Sequence, residues 1–180
     1  ASAERRMADH NGGIFMPVKL SKRVPLAAAL FAAAAFQCGA ANADTALRSL
    51  AGYWAGSGTI SMKNGTRERI RCRGSYAVSG DADALNQSLV CASDSYKFNV
   101  ESNVSETAGG VLRGSWAETT RNATGQLVGR VGGSHIVANV QGVGFTATIS
   151  IVTRGRSQSV SIAPSGGTDV VGVNVSMHRN

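Results

Sequence analysis

From Gly52 onward the chain alternates apolar or small side chains with polar ones at a period of two, and no helical 3.6-residue stripe replaces that pattern. Such a chain has one face of every segment to bury, and it can do so only as β-strands. Trp54, Gly56, Gly58, Ile60 and Met62 share one face of the first segment. In the second, about Thr66 to Val78, Ile70, Cys72, Gly74 and Tyr76 oppose Arg67, Arg69, Arg71 and Arg73. The third, about Ala84–Ala92, gathers Leu85, Gln87, Leu89 and Cys91. The pattern continues through Phe98–Val104, Leu112–Trp116, Leu127–Val131, Ile136–Val140 and Phe145–Ile151, then a short strand at Val160 and Ile162, and ends at Val171–Met177. Between the segments lie turn signals: Asn64-Gly65, the run 80–83, Gly109-Gly110, the run Arg121–Gly125 and the run 141–144.

The spacing predicts an all-β domain, an antiparallel up-and-down barrel of about 8–10 strands, with a two-sheet sandwich as the other architecture of this pattern. Closure into a barrel removes exposed strand edges, which favours it. A short helical turn is expected at Thr45–Leu50. Folding the second and third strands about residues 81–82 sets Cys72 opposite Cys91, Tyr76 opposite Gln87, and Arg69 opposite Asp94. One register thus pairs two cysteines, collects the apolar residues and neutralises an arginine, so a Cys72–Cys91 disulfide is predicted.

Residues before this domain read as an address. Residues 1–15 form a disordered leader or an over-extended start, and residues 16–43 a signal peptide. Lys19, Lys22 and Arg23 supply the basic start, Val24–Phe36 the apolar run, and Ala41-Asn42-Ala43 the small-residue exit, with cleavage expected after Ala43. The single barrel domain is then 44–180, with 13 basic and 9 acidic residues and a net charge of +4. The expected compartment is the periplasm or the exterior, where disulfides persist.

Leu50-Ala51-Gly52-Tyr53-Trp54 sets Gly-x-Trp at the start of the first strand after a helical turn. This resembles the N-terminal pattern of the calycin superfamily, the lipocalin and avidin-like exported barrels. The resemblance implies that Trp54 plugs the barrel base and that an arginine near the last strand, here Arg179, packs over it. It transfers no ligand, and no helical period near the C-terminus matches the lipocalin pattern.

Catalytic signals are sparse. His135 and His178 have no triad or metal-ligand spacing around them, so no catalytic residue, metal or cofactor is expected. Glu118 is expected as an exposed strand-end carboxylate, and Gly142-Val143-Gly144 as a turn rather than a nucleotide loop. Aromatic residues make up 6% and do not gather at strand ends, so the girdles of a membrane-spanning barrel are missing. Trp54, Tyr76, Phe98, Trp116 and Phe145 fall on the inward face as candidate ligand-binding residues. Arg67, Arg69, Arg71 and Arg73 form a candidate anion or partner face, or a solvated face that discourages edge pairing. The expected function is non-enzymatic: an exported protein binding a small apolar or amphipathic ligand in its lumen, with no nucleic-acid partner. The alternative is a protein-binding module, such as a periplasmic hydrolase inhibitor acting on an envelope protein.

Overall fold

The computed structural model describes residues 46–80 and 83–180. The expected leader and signal peptide, 1–43, lie outside the described residues. A five-residue helix, α1 (Ala46–Leu50), precedes ten strands: β1 (Gly52–Met62), β2 (Arg67–Ser79), β3 (Ala84–Ala92), β4 (Lys97–Thr107), β5 (Val111–Glu118), β6 (Ala123–Gly132), β7 (His135–Gly142), β8 (Phe145–Arg154), β9 (Ser157–Gly166) and β10 (Val170–Arg179). Each pairs antiparallel with its sequence neighbours, and β1 pairs with β10, so the sheet closes on itself. The barrel is therefore the architecture, not the sandwich. Closure follows from the alternation: every strand is bonded on both sides while its apolar face turns inward.

The β2–β3 register is the one the cysteines predict. Cys72 stands opposite Cys91 and Tyr76 opposite Gln87, and the disulfide is formed, with Cα atoms 4.1 Å apart. It closes a 19-residue separation, stabilising by about 3 kcal/mol through loop entropy.

Three local expectations are corrected. The β2–β3 ladder ends at Arg71 and Ala92, so Arg69 does not meet Asp94. The chain turns there instead, with the Ser93 amide donating to the Tyr96 carbonyl at 2.7 Å. The turn expected at 121–125 is tighter: Asn122 takes the left-handed conformation at φ 52°, which frees Thr124 and Gly125 to belong to β6. The strand expected to be short at Val160 and Ile162 is ten residues long and includes Pro164. Its pairing with β10 stops at Ile162, so Pro164 lies where β9 is paired only with β8. A residue without an N–H is tolerated there.

The buried core runs along β1, β2 and β10, where Ile60, Ile70, Cys72, Val173 and Met177 are buried, and it is closed at the end where β1 begins. Leu47 and Leu50 of α1 are 1% and 2% exposed, and they join Trp54, Leu85, Leu112, Ile136 and Met177 in one buried cluster. α1 caps this end because it leads directly into β1 and has two leucines three residues apart to bury.

Candidate functional site

Trp54 forms the base. Its Nε1 donates to the Leu50 carbonyl at 2.7 Å. Arg179, its partner across the β1–β10 seam, places its guanidinium 5.2 Å from the indole centroid. That guanidinium donates to the carbonyls of Ala51 (3.1 Å) and Gly155 (2.8 Å). The stack contributes roughly 0.5–2 kcal/mol. Trp54 is thus the plug that the Gly-x-Trp pattern implies. Tyr76 is also buried, and burial pushes its hydroxyl up to about 12, so it stays a neutral donor at ordinary pH.

The other three aromatic candidates occupy the opposite half. Phe98, Trp116 and Phe145 are half-buried. Trp116 pairs with Gly125, Gly125 with Gly142, and Gly142 with Phe145, so four strands carry one row of tryptophan, glycine, glycine and phenylalanine. A Cβ on Gly125 would lie 2.7 Å from Trp116 Nε1, and one on Gly142 would lie 2.9 Å from its Cζ2. The two glycines therefore let the indole lie back over β6 and β7. It meets Phe145 edge-on, with centroids 6.2 Å apart. Its Nε1 is buried and has no hydrogen-bond partner.

In the same barrel Leu127, Ile149, Ile151, Val160 and Ile162 point inward in mid-strand yet remain half-buried. Their partial exposure contrasts with Trp54, Leu112 and Met177, which are almost fully buried. One polar row crosses this apolar lining: Tyr76, Gln87, Ser102 and Trp116 follow one another in register over four strands. The Ser102 hydroxyl donates to Gln87 Oε1 at 2.9 Å.

The rim at the Trp116 end is ordered by Glu118. This residue is 7% exposed rather than the expected exposed strand end. Burial alone would raise its pKa, but hydrogen bonds outweigh that effect and hold it below the usual carboxylate range. The donors are the Thr120 hydroxyl and the N–H groups of Asn99 (2.9 Å), Thr120 (3.1 Å) and Arg121 (2.8 Å). Arg121, 3.6 Å from the carboxylate, stacks its guanidinium 5.0 Å over Phe98, and Phe98 stacks on Tyr96. Three of these donors come from the turn that follows β5, which is why the alternation alone did not show the burial. Glu118→Gln is expected to destabilise the fold by about 2 kcal/mol at pH 7. A depressed pKa contributes stability that is present above 4.5 and lost as pH falls below it. The difference between wild type and variant in urea unfolding should therefore shrink below that pH.

The remaining candidates lie outside. Arg67, Arg69, Arg71 and Arg73 are exposed on the outer face of β2. His135 and His178 are exposed, with side-chain hydrogen bonds to Ser150 (2.9 Å) and Ser157 (3.4 Å). Gly142-Val143-Gly144 sits in the β7–β8 hairpin. Among the described residues no cluster of histidine, cysteine or carboxylate side chains could hold a metal ion, and no helix is long and apolar enough to cross a membrane.

Solved structures decide the fold type. The crystal structure of Rv2717c from M. tuberculosis matches with a TM-score of 0.60 at 16% identity, over 78% of this chain and 98% of that one. The S-type phycobiliprotein lyase CPES from Guillardia theta matches with a TM-score of 0.56 at 10% identity, over 74% and 90%. The likeness to both is one of fold. No family model matches the sequence, and no curated protein does. Of the features at this site, the Gly125–Gly142 cradle and the Arg121–Phe98 stack were not foreseen. Both glycines fall in runs read from the sequence as turns, Arg121–Gly125 and 141–144, so no sequence signal pointed to the cradle.

Proposed function

We propose that this barrel is a non-catalytic binding protein that holds a small apolar or amphipathic molecule in the open half of its lumen. The observation that carries the reading is the cradle: Trp116 lies over Gly125 and Gly142 instead of projecting inward, while inward apolar side chains on β6, β8 and β9 stay within reach of water. Phe98, Trp116 and Phe145 line the site, Tyr76 contributes from its polar row, and Trp54 closes the base beneath it. Apolar walls bind the body of the ligand, and a few placed polar groups orient it. The likeness to a barrel described as a phycobiliprotein lyase supports reading this one as a holder of another molecule. The disulfide suits an oxidising compartment, which, with the leader read from the sequence, supports a site of action outside the cytoplasm.

Native mass spectrometry of protein purified from its own host is expected to show a retained small molecule that is released on denaturation. Gly142→Leu, whose Cβ would meet the Trp116 ring at 2.9 Å before any backbone atom, sets a side chain where the indole now lies and drives Trp116 into the lumen. It should lower the retained fraction at least about tenfold, because the site is then occupied by protein atoms. Folded wild type that retains no molecule, and that also leaves a fluorescent apolar probe such as anilinonaphthalene sulfonate unshifted, would overturn the reading.

A further inference from the structure

Arg67, Arg69, Arg71 and Arg73 are all exposed, and among the described residues none of them makes an ion pair. β2 is bonded on both sides, to β1 and to β3, so these charges do not guard a free strand edge. Alternate residues on a strand face repeat about every 6.7 Å, and the line of four guanidiniums spans about 20 Å. Four like charges in line repel one another, and no carboxylate among the described residues forms an ion pair with them.

The ground beside them is low and polar. β1 sets Ser61, Thr59, Ser57 and Ala55 opposite the four arginines. β10 continues the rows with Gly172, Asn174, Ser176 and His178, and β9 adds Ser161, Ser159 and Ser157. None of these positions holds a carboxylate or a large apolar side chain. A depression of about 490 Å³ lies at the Arg67–Arg69 end, bordered by Ser57 and Thr59. The carboxylate in its wall, Glu68, is already engaged by the Ser93 hydroxyl (2.8 Å) and the Ser95 N–H (3.2 Å). Beyond the Arg73 end, Tyr53 presents its ring on the same outward row of β1 and is 71% exposed.

We infer that this face binds a linear polysaccharide bearing carboxylate or sulfate groups. Guanidinium forks match planar oxyanions and hold them bidentately. The hydroxyl and amide shelf meets sugar hydroxyls with both donors and acceptors, and Tyr53 offers one ring face. A single-stranded nucleic acid calls for successive aromatic platforms, and this face has one aromatic side chain. A membrane surface calls for a contiguous apolar band to bury, whereas Val90, Val171 and Tyr53 are exposed here singly, on three different strands.

The test uses the full chain and measures binding to polygalacturonate, dextran sulfate, neutral dextran, poly-dT, and phosphatidylcholine vesicles containing phosphatidylglycerol. At least one charged polysaccharide should bind about tenfold or more tighter than the other three probes. The double variant Arg69→Gln/Arg71→Gln should lose about tenfold or more and show a shallower dependence of affinity on salt, since fewer counterions are released. Ser57→Asp, which places a carboxylate on the shelf while leaving the arginines intact, should weaken binding in the same direction. Tyr53→Ala should weaken it several-fold. Unchanged thermal midpoints establish that these surface variants are folded. Charged polysaccharides binding no tighter than neutral dextran, a preference for poly-dT or vesicles, or wild-type affinity in the folded double variant would each overturn the inference.

Discussion

Trp54→Ala is expected to destabilise the barrel by about 4 kcal/mol, within the range for deleting a buried tryptophan. The ring is 1% exposed and belongs to the cluster that α1 closes. Its removal leaves a cavity beneath Leu47 and Leu50 and takes away the surface on which Arg179 stacks. It also leaves the Leu50 carbonyl without its indole donor. Trp54→Phe separates these effects, because it keeps most of the packing and a ring beneath Arg179 while losing the hydrogen bond. That variant should cost about 1–2 kcal/mol. Urea unfolding of both variants checks the pair of values. A loss below about 1 kcal/mol for Trp54→Ala would mean that the base is held by other groups.

Gly58→Ala should cost about 3 kcal/mol, although it adds a single methyl group. An ideal Cβ at Gly58 would stand 1.8 Å from the Asn174 carbonyl oxygen and 2.7 Å from the Val175 Cα. Both are backbone atoms of β10, so no rotamer change relieves the clash and the two strands must part. That seam is where the sheet closes, since Gly58 pairs with Val175 across it. Gly56 lies against the same seam, 2.0 Å from the Ser176 oxygen by the same measure. Gly132→Ala is the matched control, because a Cβ there meets nothing within 4 Å and should change stability by less than about 0.5 kcal/mol. Thermal unfolding, with hydrogen exchange read at β1 and β10, should show the Gly58 variant loosening first along that seam. Equal effects at Gly58 and Gly132 would refute the close-approach account.

Some of this architecture is legible residue by residue. The Cys72–Cys91 pairing follows from alternation and a turn centred on residues 81–82, both local properties. The role of Trp54 follows from a five-residue pattern, and Arg179 meets it because closure brings the last strand back to the first. Glu118 was harder to read. Its burial depends on donors from Asn99, Thr120 and Arg121, which only the folded turn brings to its carboxylate. β9 runs well past Val160 and Ile162, and it accommodates Pro164 because that residue lies beyond the last β10 pair.

Period-two patterning by itself determined that the chain is all-β, which residues face inward, and which two cysteines meet, because side-chain direction and hairpin register are short-range consequences of strand geometry. Tertiary structure alone decided whether those inward residues fill the barrel. The answer depends on Trp116, Gly125, Gly142 and Phe145 falling in one row across four strands. Such a row is set by the closure of the whole ring, because packing depends on which side chains face one another across the lumen and no single hairpin contains that information.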